Sequence, residues 1–398
     1  MENIFESNSN SNSEEESDIF VYLSTSFSDS GPRTPSPNSL NSEEIKYLQN
    51  YHLLNLCELV KHGPKPLIDA SSNELEPILK KLQEKIETSV IRTERKNIGI
   101  MITDLLQNIG INLDEYFQIL SRYPFNWTYA GTLGFLYEYG VGTTINQQKA
   151  FERYEITKEN GDIFGQVSLG NCYLDGRGVA VDAQEALYWY RKSAELGCSR
   201  GQYNIGYCYF NGIGVEKNDK LAFDWYIKSA NAKNPAAMCN LGYFYNRGIG
   251  CKEDKVSGVY WFKKAAEYDF AQAQYNYADC LRCGEGVKQD EKKALLWYKK
   301  AAYMDNIDGI YMLGYCYENG IGTERDLARA FEWYRKAAFA GDCQGQFAVA
   351  NFYLFGTGIL QDFRKGFYWA YKGATHKNGD AEAILELTRL FEHNTIIT

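Results

Sequence analysis

Residues 241–266 read LGYFYNRGIGCKEDKVSGVYWFKKAA, and the two glycines of this segment, Gly248 and Gly250, decide the fold. The same pair of glycines around one residue recurs every 36 residues without insertion or deletion. The seven pairs are Gly140/Gly142, Gly176/Gly178, Gly212/Gly214, Gly248/Gly250, Gly284/Gly286, Gly320/Gly322 and Gly356/Gly358. A fixed period of this length indicates a repeat architecture, in which one small unit is stacked many times. Such arrays are typical of binding surfaces and not of catalysts.

The residues before each glycine pair predict a first helix, which we call helix A. In the quoted segment Leu241 stands beside Gly242, and Tyr245 follows three residues later. A leucine and a tyrosine four positions apart share one face of a helix, and a very small residue beside the leucine allows close approach of a second helix. The first glycine of each pair is predicted to end helix A, because glycine tolerates the left-handed backbone found at helix C-termini.

A second helix, helix B, is predicted to begin four residues after each pair. The residues at that position are all good N-caps: Asn146, Asp182, Asn218, Asp254, Asp290, Asp326 and Asp362. A small residue and a Trp-Tyr pair, such as Trp297-Tyr298, then follow in most units. One helical hairpin cannot bury both of its faces, so neighbouring units must stack. The sequence therefore predicts an all-α solenoid of about seven helix-pair repeats of 36 residues.

The solenoid is predicted to occupy residues 126–398, with residues 381–393 as a terminal capping helix. Residues 42–125 lack the period but have helical patterns, and Asn112 is predicted to cap a short helix that runs through Leu120. We interpret 42–125 as a cap for the array; the alternative is a separate small domain that dimerises.

Residues 1–41 are rich in serine and asparagine and contain seven acidic residues against one arginine. This composition cannot bury enough apolar surface to offset the entropy of ordering, so a disordered tail is predicted. Thr34-Pro35 and Ser36-Pro37 are candidate sites for a proline-directed kinase. An unmodified polar tail is the alternative.

The composition limits the class of partner and the compartment. The 398 residues are 44% apolar and carry a net charge of −9, which argues against nucleic acid or an anionic membrane as partner. No apolar run is long enough to span a membrane, and no basic segment followed by an apolar one marks a secretory signal. We therefore expect a cytoplasmic protein with reduced cysteines, and we favour a monomer.

At this point the residues resemble a known family. The pattern Leu-Gly-x-x-Tyr-x-x-Gly-x-Gly, then Asp, then Ala-x-x-Trp-Tyr-x-x-Ala-Ala, most complete in residues 241–266 and 313–338, is similar to the tetratricopeptide-like Sel-1-like repeat. The resemblance covers residues 126–393. It implies a right-handed α/α solenoid that serves as an adaptor or scaffold for protein complexes. Members act in protein quality control, cell-wall synthesis control and signalling, and many are fungal.

The resemblance thus predicts a non-enzymatic scaffold of fungal type that binds a protein or peptide partner in its concave groove, with a role in signalling. The alternative is a regulatory or targeting subunit of an enzyme complex, such as a kinase, a cell-wall synthase or a quality-control machine, controlled by phosphorylation of the tail.

No catalytic residue, metal site or cofactor is predicted. Cys280 and Cys283 form a Cys-x-x-Cys pair, but Cys280 occupies the same repeat position as Cys172, Cys208 and Cys316, where other units have leucine or phenylalanine. That position indicates apolar core. The Gly-x-Gly pairs follow a helix, whereas a phosphate-binding fingerprint needs a preceding strand. The four histidines make no motif with a serine or cysteine.

The candidate partner-binding residues occupy positions that vary between units. By analogy with other helix-pair solenoids, two positions of helix A are predicted to face the concave side. The tyrosines there are Tyr203, Tyr275 and Tyr311, three residues before the small residue, and Tyr207, Tyr243 and Tyr315, one residue after it. Tyrosine is favoured at recognition surfaces because it gives contact area at small entropic cost. The alternative is that these tyrosines only pack between neighbouring A helices.

Two arginines near the end of helix A, Arg247 and Arg282, are predicted to reach an acidic partner. The alternative for both is a solvated surface position.

Overall fold

The computed structural model describes residue 106 and residues 113–122, 127–158 and 162–376. Fifteen helices and no strand occur in this part of the chain. They are α1 (Leu113–Ser121), α2 (Trp127–Tyr139), α3 (Gln147–Thr157), α4 (Ile163–Asp175), α5 (Ala183–Glu195), α6 (Ser199–Asn211), α7 (Asp219–Asn231), α8 (Pro235–Arg247), α9 (Lys255–Glu267), α10 (Ala271–Cys283), α11 (Glu291–Tyr303), α12 (Ile307–Asn319), α13 (Leu327–Phe339), α14 (Cys343–Phe355) and α15 (Phe363–His376).

The even-numbered helices from α2 to α14 are the predicted A helices, and the odd-numbered ones from α3 to α15 are the predicted B helices. Each helix contacts the next along the chain, as expected of a solenoid of stacked hairpins. The short helix predicted through Leu120 is α1, which ends at Ser121. The predicted tail 1–41 with Thr34 and Ser36, most of 42–125, and the terminal cap 381–393 lie outside the described residues.

The two glycines of each pair perform different tasks. The first glycine caps helix A in the left-handed conformation, as predicted: Gly212 has φ 70° and donates its N–H to the Cys208 carbonyl. In five pairs the second glycine lies against the backbone of the preceding repeat. A methyl group on Gly214 would overlap the carbonyl oxygen of Ala183, in the first turn of α5. Gly178, Gly250, Gly286 and Gly322 meet the backbone of the preceding helix B in the same way.

The predicted N-caps of helix B are confirmed in all seven units. Asp254, for example, accepts from the backbone N–H groups of Val256 and Ser257, both at 3.1 Å. The corresponding caps on the other B helices are Asn146, Asp182, Asn218, Asp290, Asp326 and Asp362. Each cap satisfies an N–H group that has no partner within its own helix.

The core confirms the predicted role of the small residue beside the leucine. Gly206 on α6 faces Tyr226 on α7, and an added methyl group would lie 2.8 Å from the Tyr226 ring. The Tyr226 ring is fully buried and meets Phe244 of the next repeat edge-to-face, with 5.2 Å between ring centroids. Trp225 packs against a buried cluster that joins Tyr190 of the preceding repeat to Ile205 and Cys208 of its own repeat. The core is therefore continuous from one repeat to the next.

Candidate partner-binding site

Each residue of the first group of predicted site residues, Tyr203, Tyr275 and Tyr311, contacts helix B of its own repeat. Each ring lies tilted on a buried tyrosine of helix B. The pairs are Tyr203 with Tyr226 at 5.6 Å between centroids, Tyr275 with Tyr298 at 6.0 Å, and Tyr311 with Tyr334 at 5.3 Å. Burial raises the pKa of all three hydroxyls. These rings therefore pack against helix B of the same repeat, and Tyr203 also forms a hydrogen bond with Asn240 on the next A helix, α8.

The second group, Tyr207, Tyr243 and Tyr315, is half-buried on the A helices. Arg247, which is exposed, lies over the Tyr243 ring at 5.9 Å from its centroid, a cation–π distance. Tyr315 lines a pocket. All three rings lie on A helices and keep part of their surface exposed, as contact with a partner requires.

Arg282 is engaged within its own repeat. Its Nη2 pairs with Asp279 at 2.6 Å, and its Nε donates to the Tyr298 hydroxyl at 3.2 Å. This arginine is half-buried, so the alternative of a solvated position does not describe it. Its contact with an acidic partner remains a prediction.

A pocket of about 340 Å³ lies between α12 and α14. It brings together Tyr311 and Tyr315, both predicted as site residues, with side chains of the following repeat. Its lining residues are Tyr311, Tyr315, Glu318, Tyr334, Gln344, Phe347, Ala348, Asn351 and Phe352. Five aromatic residues with one carboxylate and two amides form a surface suited to a polar or charged side chain.

The sequence prediction missed Glu318, Phe347 and Asn351 as site residues. Phe347 and Asn351 occupy the same two helix A positions as the predicted tyrosines, and the choice of tyrosine alone excluded them. Glu318 shares its repeat position with Glu138 and Arg282, in a column that is apolar in several other units. A charged residue at a repeat position that is often apolar was the feature of the sequence that could have identified Glu318.

Two interacting carboxylates lie at the N-terminal ends of α12 and α14. Asp342 caps α14 by accepting from the Gly345 N–H at 2.6 Å, and burial raises the pKa of its carboxyl. Burial and, after it, the charge of Asp342 raise the pKa of Asp308 on α12. The preceding repeat has Asn306 as the equivalent cap. The pair therefore adds negative charge beside α12 and α14.

We expect Asp342→Asn to raise the free energy of unfolding at neutral pH. Because folding raises the pKa of this carboxyl, its protonated form favours the folded state. This contribution to stability is greatest below the pKa of the unfolded chain, about 4, and is lost as the pH rises through the pKa of the folded state. Asparagine keeps the N-cap hydrogen bond but carries no charge, so the increase in the free energy of unfolding should disappear below about pH 4. Urea unfolding at a series of pH values measures it.

Asp362→Asn is the matched control, since Asp362 caps α15 through the Lys365 N–H and that hydrogen bond lowers the pKa of its carboxyl. Its contribution to stability is present above the unfolded pKa and lost as the pH falls through the folded one, so the substitution should destabilise at neutral pH. Equal effects of the two substitutions would contradict the assignment.

One cysteine of the Cys-x-x-Cys pair, Cys280, lies in the apolar core, as predicted. Cys280 is 7% exposed, and burial raises the pKa of its thiol to about 12. Cys172, Cys208 and Cys316 are fully buried at the equivalent position. Cys283 is exposed at the end of α10. Within the described residues, no group of three or more His, Cys, Asp or Glu side chains is arranged to hold a metal ion.

None of the described helices has the length and apolar character that a membrane crossing requires.

The sequence model named Sel1 repeat matches seven consecutive segments of the chain. They are residues 133–162, 163–198, 199–234, 235–267, 271–306, 307–342 and 343–378. No curated protein matches the chain at a significant level.

Two solved structures are similar over most of their length. One is a protective antigen of uropathogenic Escherichia coli that displays an SLR fold, at 28% identity and a TM-score of 0.57, covering 78% of this chain and 67% of the antigen. The other is a Sel1 repeat protein from Oxalobacter formigenes, at 31% identity and a TM-score of 0.51, covering 56% of this chain and 91% of that protein.

Proposed function

The chain belongs to the Sel1 repeat family, and from this premise we propose that it is a non-catalytic scaffold that binds an extended peptide segment of a protein partner on its A helices. Sel1 repeat proteins are generally protein-interaction scaffolds. The observation that carries the finer proposal is the pocket between α12 and α14, where Tyr311 and Tyr315 contribute aromatic walls. Tyrosine side chains bury a large contact area and lose little rotamer entropy on binding.

The half-exposed tyrosines extend this surface to earlier repeats. Tyr207 on α6 and Tyr243 on α8 occupy the same repeat position as Tyr315 on α12. A partner that runs across successive A helices would meet one such ring in each of these repeats. Repetition of one contact along an array is how solenoids achieve extended binding surfaces.

A cytoplasmic signalling adaptor of fungal type fits within this proposal. Phosphorylation of Thr34 and Ser36 would then regulate the bound complex, and the alternative role is a regulatory or targeting subunit of an enzyme complex. Both stay predictions.

The test replaces Tyr207, Tyr243 and Tyr315 together with alanine. Random linear peptides displayed on phage are first selected against the full chain, and the affinities of the selected peptides are then measured by isothermal titration calorimetry. We expect the triple variant to lose at least about tenfold in affinity, because central tyrosines are frequent hot spots.

The matched control replaces three tyrosines of the B helices, Tyr188, Tyr260 and Tyr368, which are 47%, 53% and 58% exposed. These substitutions should leave the affinity unchanged. Unaltered affinity in the A-helix variant, with an unaltered circular dichroism spectrum, would refute the assignment of the surface.

A further inference from the structure

We propose that the pocket between α12 and α14 receives a basic side chain, arginine above all, from the bound peptide. This inference rests on the proposed function and adds to it the chemistry of the partner. Three features of the described residues carry it: a carboxylate that no described cation pairs with, aromatic walls, and described lining residues that include no basic side chain.

One position near the end of helix A meets the hydroxyl of the buried helix B tyrosine in three repeats. The pairs are Glu138 with Tyr154 at 2.6 Å, Arg282 with Tyr298 at 3.2 Å, and Glu318 with Tyr334 at 2.6 Å. Two of the three charges are compensated inside the protein. Arg177 of the following repeat pairs with Glu138, and Asp279 pairs with Arg282.

Glu318 lacks this compensation. The residue that corresponds to Arg177 in the repeat after Glu318 is Thr357, which carries no charge. Arg325 donates its Nε to the main-chain oxygen of Glu318 at 2.9 Å, and in the described part of the chain no ion pair reaches the Glu318 carboxylate. The other arginines of this repeat pair elsewhere, Arg329 with Asp326 and Arg335 with Glu332. A half-buried carboxylate in this position attracts a cation from outside.

The walls of the pocket suit a guanidinium group. Tyr311, Tyr315 and Phe347 present aromatic rings beside Glu318. Arginine stacks on aromatic faces and pairs with a carboxylate through its planar fork of N–H donors, so one side chain satisfies both features. Gln344 and Asn351 supply amide oxygens for the remaining donors.

The charge around the pocket excludes an acidic occupant. Among the described residues that line the pocket there is no lysine, arginine or histidine. Glu318 and Tyr311 both line the pocket, and burial first, then the charges of Asp342 and Glu318, raise the pKa of the Tyr311 hydroxyl. A carboxylate or phosphate would be repelled, whereas a basic side chain would neutralise a charge that the protein leaves uncompensated.

The test uses the same selection of phage-displayed random linear peptides against the full chain. We expect arginine or lysine to be enriched at one position of the selected peptides. Replacing that residue by glutamine should weaken binding to the unaltered chain by about tenfold, as expected for loss of a charge-assisted contact. On Glu318→Gln the same peptide change should have less than about a threefold effect. Glutamine retains an oxygen that accepts from the Tyr334 hydroxyl, so the repeat should fold.

Glu332→Gln on α13 removes one negative charge elsewhere in the same repeat and should leave the preference for a basic residue intact. Peptides that bind through the A-helix tyrosines without a basic residue would overturn this inference and leave the proposed function standing. An equal effect of the peptide change on the unaltered chain and on Glu318→Gln would also overturn it. Failure to select any peptide would contradict both.

Discussion

Gly214→Ala is expected to lower the free energy of unfolding by about 3 kcal/mol or more, whereas Gly212→Ala, in the same loop, should cost about 1 kcal/mol. Both glycines have a left-handed backbone, with φ of 64° and 70°, so both substitutions carry the cost of that conformation. Only at Gly214 does the new methyl group overlap backbone, the Ala183 carbonyl of the preceding repeat. At Gly212 the nearest atom would lie 3.5 Å away.

The difference between the two variants isolates the contact between repeats. Urea unfolding followed by far-ultraviolet circular dichroism measures it. Gly214→Ala should also make the transition broader or split it in two, because weakening one interface in an array uncouples the repeats on either side. Gly197→Ala, at φ 83° with nothing within 4 Å of the added atom, gives a second measure of backbone cost alone. Similar losses for Gly212→Ala and Gly214→Ala would contradict the two roles.

Tyr226→Ala is expected to lower the free energy of unfolding by about 4 kcal/mol, the range found when a large buried ring is removed. The ring is fully buried and touches Gly206, Tyr203 and Phe244, which belong to two repeats. Its removal leaves a cavity at the junction of three helices. The backbone of Gly206 cannot fill this space, because glycine has no side chain.

Tyr226→Phe is the matched control, and we expect a change of about 1 kcal/mol or less. The next repeat has Phe262 at the equivalent position, against Gly242, so the site accepts a ring without a hydroxyl. Thermal and urea unfolding of both variants test this pair. A phenylalanine variant as unstable as the alanine variant would assign the stability to the hydroxyl and refute the packing argument.

Local features of the sequence were sufficient to predict the helices. Gly212 ends α6 and Asn218 caps the start of α7, because each acts on backbone groups within a few residues of itself. Effects this local can be predicted from a single sequence. The contact of Gly214 with Ala183 was not predictable in this way. It depends on how two repeats dock. The 36-residue period predicts that repeats stack but does not specify which atoms meet.

The candidate site was predicted in part for the same reason. Periodicity placed Tyr311 and Tyr315 on one helix face, but it did not reveal that Tyr311 packs on Tyr334. The pocket itself combines side chains from two repeats, and Glu318 and Phe347 have no relation in the linear sequence. Comparison of equivalent positions, one repeat at a time, does not reveal residues that meet only when repeats stack.

The second glycine has a consequence for how such a chain changes in evolution. Gly214, Gly250 and Gly286 each face main-chain atoms of the preceding helix B. This contact between repeats therefore does not depend on which side chain the facing residue carries. Deletion of one unit, such as residues 235–270, would bring the loop of Gly286 against α7 in place of α9 through the same backbone contact. Gene duplication or deletion in whole units would thus lengthen or shorten the reach of the molecule while each remaining junction keeps its geometry.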